Sequence, residues 1–117
     1  MVSVLLVEDD ALVRHVVATM LHVAGHTVVG AATTGEARDA VAESETPFDL
    51  VLADIRLSES SGPELIAELR RLQPDARYLL MSGYAFDDDD DLADIPFLAK
   101  PFTGDELNAK IDEVLAG

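Results

Sequence analysis

Short apolar runs alternate along this chain with longer segments of helical periodicity, and few folds accommodate that alternation. The first run is rich in Val and Leu and too short to form a helix, so it predicts a buried strand, and the other four runs predict further strands. These runs span residues 2–7, 27–32, 48–53, 77–81 and 96–99. Strands that alternate with helices predict right-handed crossovers between parallel strands. The chain is therefore expected to form an α/β domain, a parallel sheet with helices on both faces.

Residues typical of helix ends mark the segments between these runs. The helical patterns span residues 11–24, 33–44 and 61–72, and a last one starts at 103. Three of them begin with the capping-box spacing, in which a Ser or Thr is followed three residues later by Glu; the first residues are Thr33, Ser61 and Thr103. Gly25 and Pro74 are placed to end the first and third helices. Because no linker or second core pattern interrupts the chain, residues 1–117 are interpreted as one domain.

The segment between Ser82 and Pro96 departs from this regular alternation. A helix is expected there, but residues 87–91 are five consecutive aspartates. Asp is a poor helix former in a helix interior, and neighbouring like charges repel each other. We therefore predict that the fourth helix is short or frayed.

The balance of charge disfavours several classes of partner. The chain of 117 residues has 23 acidic and 8 basic side chains and a formal net charge of −15. Binding to nucleic acid or to anionic membranes requires clustered Lys and Arg, which this chain lacks. No apolar run is long enough to span a bilayer. Without cysteine there is no disulfide, thiol catalysis or cysteine-ligated zinc. We expect a cytoplasmic protein that binds neither nucleic acid nor membrane.

Polar and charged side chains follow the ends of four predicted strands, which is where open parallel sheets bind ligands. These residues are Glu8, Asp9, Asp10, Asp54, Ser82 and Lys100. Crowded carboxylates repel each other unless a cation or a proton intervenes, and oxygen ligands suit Mg²⁺. A carboxylate beside Mg²⁺ and a lysine has what phosphoryl transfer to an aspartate requires. It offers an oxygen nucleophile and sets cations against the oxygens of the transferring group.

Four segments in this order extend along nearly the whole chain: VLLVEDD, DLVLADIRLSESSG, LLMSG and FLAKPF. Together they resemble the receiver domain of two-component response regulators. Among these domains they most resemble the receivers of hybrid histidine kinases. The resemblance implies a flavodoxin-like, doubly wound sheet of strand order 2-1-3-4-5. It also implies that a histidine kinase or a histidine phosphotransfer protein donates a phosphoryl group. The chain would then signal to an unknown downstream protein by contact, without an output domain of its own.

The same resemblance assigns roles at the predicted site. It makes Asp54 the phosphoacceptor, Lys100 the partner of the phosphoryl group and Ser82 the switch hydroxyl. Phe97 would be the switch aromatic, although a Phe at the start of a short strand is a core residue by default. Such a domain is a phosphoacceptor with at most slow self-dephosphorylation, rather than an enzyme. In this family the peptide bond between Lys100 and Pro101 is usually cis.

The implied metal site and partner surface lie around the phosphoacceptor. Mg²⁺ would be bound directly by Asp9 and Asp54, by Glu8 mainly through water, and by the backbone carbonyl of Arg56. Asp10 is interpreted instead as a helix cap, for which Asp is favoured. The surface that meets the histidine-bearing partner would include Ala11, Leu12 and His15.

Two other functions remain open at this point. The first is a pseudo-receiver that binds a partner without phosphorylation, although Asp54, Asp9 and Lys100 are all present. The second is a Mg²⁺-dependent phosphatase that forms an aspartyl-phosphate. Such phosphatases usually carry a second Asp two residues after the nucleophile, where this chain has Arg56. The three histidines match no metal-binding spacing and are expected on the surface; they are His15, His22 and His26.

Overall fold

In a computed structural model that describes residues 2–54, 62–82 and 95–116, five strands and four helices follow one another in the predicted order. The strands are β1 (Ser3–Val7), β2 (Thr27–Ala31), β3 (Leu50–Asp54), β4 (Arg77–Ser82) and β5 (Phe97–Ala99). The helices are α1 (Ala11–Val23), α2 (Thr34–Glu43), α3 (Gly62–Leu72) and α4 (Gly104–Ala116). The predicted short fourth helix falls outside the described residues, as does Ser61.

All the strands run parallel, in the order β2-β1-β3-β4-β5, so the predicted doubly wound topology is confirmed. In the central register Val7 pairs with both Ala31 and Ala53. Asp54 pairs with Met81, and Ser82 pairs with Ala99. The carboxyl ends of β1, β3, β4 and β5 therefore lie along one edge of the sheet. The predicted functional side chains follow these ends.

The sheet separates two layers of apolar core. Successive strand residues point to opposite faces, so alternate residues of each strand enter different layers. One layer packs under α2 and α3 and contains Leu5, Val51 and Leu80. The other packs under α1 and α4 and contains Leu6 and Leu52. Burying each Leu side chain contributes about 1.5 to 3 kcal/mol, and this holds the strand ends in fixed positions.

The third strand begins two residues later than the sequence pattern predicts. The apolar character of Phe48 predicts a place in this strand, but Phe48 lies before β3. It is buried, and its backbone N–H donates to Oε1 of Gln73 at 3.0 Å instead of joining the sheet. Gln73 is also buried, and its carbonyl accepts a hydrogen bond from the Tyr78 hydroxyl at 2.8 Å. A side-chain amide thus replaces a strand partner at this position.

Within the described residues, the predicted capping residues lie at helix ends. Thr103 and Glu106 form a reciprocal capping box, with backbone N–H to side-chain distances of 3.0 and 3.1 Å. The Thr33 hydroxyl accepts from the Glu36 N–H at 3.0 Å. Gly25 follows α1 with φ at 93°, and its N–H donates to the His22 carbonyl at 3.0 Å. No described helix is both long and apolar enough to cross a membrane.

Gly25→Ala should lower the free energy of unfolding by about 1 to 2 kcal/mol, because a Cβ is strained at positive φ. Space is not the cause, since nothing lies within 4 Å of the added atom. Urea denaturation followed by circular dichroism measures the change. The matched control is Gly35→Ala in α2, where the added Cβ makes only ordinary contact at 3.7 Å. Equal effects of the two substitutions would contradict the interpretation.

Candidate functional site

Glu8 is held at the end of β1 by its backbone. Its N–H donates to the carbonyl of Ala31 in the neighbouring strand at 3.0 Å. Its own carbonyl accepts a hydrogen bond from Nη1 of Arg14 at 2.8 Å. The side chain is only 2% exposed, and a glutamate is almost never buried to this extent unless it is paired.

A second buried carboxylate and a lysine meet Glu8 at the same edge of the sheet. Asp54 is the last residue of β3 and is 8% exposed. Lys100 directly follows β5, and its Nζ lies 2.6 Å from Oδ2 of Asp54. The same Nζ lies 3.4 Å from each carboxylate oxygen of Glu8. One ammonium therefore bridges two carboxylates that come from different strands. The peptide bond after Lys100 is cis, as the resemblance implies.

The electrostatics of this group show that the two carboxylates are crowded. The pKa of Glu8 is raised from its ordinary value of 4.5 to about 7. Burial is the largest cause, and the hydrogen bond and the negative charge of Asp54 also raise it. Lys100 lowers this pKa without cancelling the rise. Burial lowers the pKa of Lys100. The hydrogen bonds and negative charges of Asp54 and Glu8 outweigh this effect, so that the pKa is raised overall. The lysine is therefore charged at neutral pH.

These residues fit a hard divalent cation. Mg²⁺ typically takes one or two protein carboxylates and keeps several waters, and here Glu8 and Asp54 already converge. Asp9 follows Glu8 in the chain and is exposed. Within the described ranges no three His, Asp or Glu side chains form a ready cluster, so water and backbone would complete such a site. We call the converging Glu8 and Asp54, together with the exposed Asp9 that follows Glu8 in the chain, the acidic pocket.

The other predicted site residues differ in how far they can be placed. Asp10 caps α1, as expected, by accepting from the N–H groups of Leu12 and Val13 at 2.9 and 3.2 Å. Phe97 is half-buried and packs against the core layer of α2 and α3. The backbone of Ser82 ends β4, whereas its side chain is outside the described part of the molecule. The Arg56 carbonyl lies outside the described residues too.

The predicted partner surface is exposed on the first turns of α1. Ala11 and His15 are exposed, and the side chain of Leu12 is 72% exposed. Val16, whose spacing predicts a place on the apolar face of the helix, is instead 43% exposed. It lies one turn after Leu12, and the spacing of four residues places both on one side of the helix. The exposed side of the first turns of α1, which begins directly after Asp9 and Asp10, is therefore partly apolar.

Two further side chains were not anticipated correctly. Arg14 was not singled out in the sequence, and its contact with the Glu8 carbonyl appears only once α1 is packed against the sheet. His26 was expected on the surface, but it is half-buried. Its Nδ1 accepts a hydrogen bond from the N–H of Val2 at 3.3 Å, which ties the starts of β1 and β2 together. His15 and His22 are exposed, as predicted.

Comparison with known proteins identifies the family. The model of the response regulator receiver domain matches residues 4–112. The chain belongs to the response regulator receiver domain family. It is 31% identical to the response regulator receiver protein CpdR of Brucella abortus, and the match covers 98% of both chains. It is also 36% identical to the sensor kinase CckA of the same organism, but the match covers 97% of this chain and only 12% of that kinase.

Solved receiver domains share the fold of this chain. The receiver domain of the hybrid histidine kinase CckA superposes with a TM-score of 0.83 at 29% identity, covering 97% of this chain and 98% of that one. The response regulator TrrA from Thermotoga maritima, solved in complex with Mg²⁺ and BeF, gives 0.86 at 27% identity. That match covers 97% of this chain and 99% of TrrA. The resemblance to receivers of hybrid histidine kinases is thus confirmed at the level of family and fold.

Glu8→Gln should stabilise the protein in Mg²⁺-free buffer at pH 8. A carboxyl with a pKa of about 7 when folded and 4.5 when unfolded destabilises the fold progressively as pH rises between these values. Removing the charge should therefore raise the free energy of unfolding by about 1 to 3 kcal/mol. Most of the gain should be lost at pH 4.5, where Glu8 is protonated in the folded state and about half-protonated in the unfolded state. Urea denaturation at the two pH values tests this, and a gain independent of pH would contradict it.

Proposed function

We propose that this receiver accepts a phosphoryl group on Asp54 in a Mg²⁺-dependent reaction. The donor would be a phosphohistidine on a histidine kinase or a histidine phosphotransfer protein. The observation that carries the proposal is the 2.6 Å contact between Nζ of Lys100 and Oδ2 of buried Asp54, with Glu8 against the same ammonium. Membership of the receiver family supports it further.

In the proposed reaction a carboxylate oxygen of Asp54 attacks the phosphorus of the phosphohistidine. A bond between that oxygen and phosphorus forms, the bond between phosphorus and the imidazole nitrogen breaks, and the nitrogen keeps the electron pair. Burial of Asp54 limits the water that competes as a nucleophile and hydrolyses the product. The sheet edge fixes the position of the attacking oxygen, so little motion is required before transfer.

Lys100 provides a positive charge where negative charge develops. Because nearby carboxylates raise its pKa overall, the ammonium is charged throughout the physiological pH range. In the proposed reaction it faces the oxygens of the transferring group, while the Ser82 hydroxyl donates a hydrogen bond to the product. Mg²⁺ would be bound directly by Asp9, Asp54 and the Arg56 carbonyl, and through water by Glu8. When bound, the ion would neutralise charge on the acidic pocket and on the phosphoryl oxygens.

The exposed start of α1 is proposed to meet the phosphohistidine donor. Leu12 and Val16 present exposed apolar side chains on the helix that begins directly after Asp9 and Asp10, and Ala11 and His15 share this part of the helix. Exposed apolar side chains that adjoin a reaction site favour contact with a partner. The downstream protein would in turn contact the region of Ser82 and Phe97, the proposed switch residues. The protein itself would be a phosphoacceptor that loses the group slowly, and its cytoplasmic location stays a prediction.

Acetyl phosphate with Mg²⁺ should add one phosphoryl group to the intact wild-type protein, as measured by mass spectrometry at neutral pH. Asp54→Asn should abolish the increment, because the amide lacks the nucleophilic oxygen. Asp39→Asn, an exposed position on α2, should leave it unchanged. An equal increment on Asp54→Asn would contradict the proposal. No increment, with amide spectra unchanged by Mg²⁺ and beryllofluoride, would favour a phosphorylation-independent binding module, and turnover of a phosphate ester would favour a phosphatase.

Leu12→Asp should slow phosphoryl transfer from a histidine kinase that phosphorylates the wild-type chain, by about tenfold or more. The reason is that a charge replaces an apolar contact at the centre of the proposed interface. Phosphorylation by acetyl phosphate, which requires no protein interface, should keep its wild-type rate. Leu72→Asp is the control, because Leu72 is 56% exposed at the end of α3 on the other face of the sheet. Equal slowing by both substitutions would argue against the α1 surface.

A further inference from the structure

Arg14 connects the first helix to the strand end that carries Glu8. Its backbone N–H donates to the carbonyl of Asp10 at 2.9 Å, in the first turn of α1. Its side chain then turns back toward the sheet, where Nη1 donates to the Glu8 carbonyl at 2.8 Å. With the bond from the Glu8 N–H to Ala31, both backbone groups of Glu8 are thereby fixed. The peptide unit that joins Glu8 to Asp9 thus has a defined orientation.

The Arg14 side chain passes close to Gly30 in the edge strand β2. A Cβ built on Gly30 would lie 3.4 Å from Cδ and 3.7 Å from Cγ of Arg14. Those distances are ordinary contacts, so an added methyl group fits. A branched side chain would need the space that the arginine stem occupies. Gly30 is exposed in the strand, so no buried core would be disturbed by such a change.

Charge alone predicts that Arg14 weakens the binding of Mg²⁺. A guanidinium beside a cation site repels the cation, so a bystander arginine at this position would weaken Mg²⁺ binding. Its hydrogen bond acts in the other direction, because groups that orient metal ligands increase the affinity for the metal. The two effects differ in sign. The sign measured for an Arg14 variant therefore shows which effect dominates.

We propose that Arg14 is a positioning residue for the acidic pocket, and that Gly30 is the position on β2 that leaves room for it. Arg14 holds the Glu8–Asp9 backbone in the orientation that binds Mg²⁺. This inference deepens the proposed function and rests on it.

Titration calorimetry with Mg²⁺ alone, without a phosphoryl donor, tests this role. Arg14→Ala should raise the Kd for Mg²⁺ by about tenfold, the lower end of the range for residues that orient metal ligands. Arg14→Lys should recover part of the affinity, since its ammonium can donate to the same carbonyl. Arg38→Ala is the charge control, because Arg38 lies on α2 and pairs with Glu68 at 2.7 Å. Tighter or unchanged binding by Arg14→Ala would overturn the inference.

Substitutions at Gly30 test the same contact without changing the arginine. Gly30→Ala should bind Mg²⁺ like the wild type, and Gly30→Val should bind it more weakly because it displaces Arg14. In the Arg14→Ala background Gly30→Val should cause no further loss, since the group it displaces is absent. Additive losses in this double-mutant cycle would show that Gly30 acts independently of Arg14 and would contradict the proposal.

Stability measurements separate a positioning role from a general loss of structure. The free energy of unfolding is measured for each variant in Mg²⁺-free buffer, and circular dichroism checks the fold. If Arg14→Ala does not fold, the Arg14→Lys and Gly30→Val comparisons still decide the question. Failure of the wild type to bind Mg²⁺ would overturn the proposed function itself. Normal binding by the wild type and by both of these variants would overturn only the role of Arg14.

Discussion

The contact between the Lys100 ammonium and two buried carboxylates is the interaction on which the site depends. Asp54 and Glu8 come from different strands, and like charges at such close range repel each other strongly where water is excluded. The lysine, from a third strand end, partly offsets this repulsion. Its offset is incomplete, because the pKa of Glu8 is still raised to about 7. The pocket therefore retains a deficit of positive charge, and a divalent cation would remove it.

The sheet creates this arrangement by its topology. Parallel strands bring their carboxyl ends to one edge, and the order β2-β1-β3-β4-β5 sets β1 and β4 on either side of β3. Asp54 thus lies between the strand end that carries Glu8 and the strand that leads to Ser82. Both core layers are packed with Leu and Val, so the backbone under the charged groups is rigid. The apolar core therefore stabilises a cluster of charges that would separate on its own.

Much of the fold could be predicted because each strand coincides with a short apolar run in the sequence. Periodicity placed all five strands within about two residues, and helix ends followed from capping residues such as Thr103. The close approach of Glu8, Asp54 and Lys100 could be expected from the rule that parallel strands end together. In the sequence, the family resemblance assigned the individual roles, because the rule that brings strand ends together does not by itself say which carboxylate is the phosphoacceptor.

Other features of the site depend on packing that no local pattern encodes. Arg14 contacts the Glu8 carbonyl because α1 docks against β2, and neither its spacing nor its residue type indicates that contact. Phe48 is apolar like the strand residues that follow it, yet its backbone N–H donates to the side chain of Gln73, which is distant in sequence. Val16 fits the apolar face of α1 by spacing but lies outside the buried interface. The way in which the helices and strands pack against each other decided all three.

The titration of the Glu8 carboxyl shows whether the two carboxylates at the sheet edge are crowded. Its side-chain carbon can be followed by ¹³C NMR as a function of pH, with Glu8→Gln used to assign the signal. In Mg²⁺-free buffer the account predicts a pKa of about 7, and saturating Mg²⁺ should move the midpoint to lower pH because the cation favours the charged form. A midpoint near the ordinary 4.5 that does not respond to Mg²⁺ would show that the carboxylates are not crowded and would contradict the account.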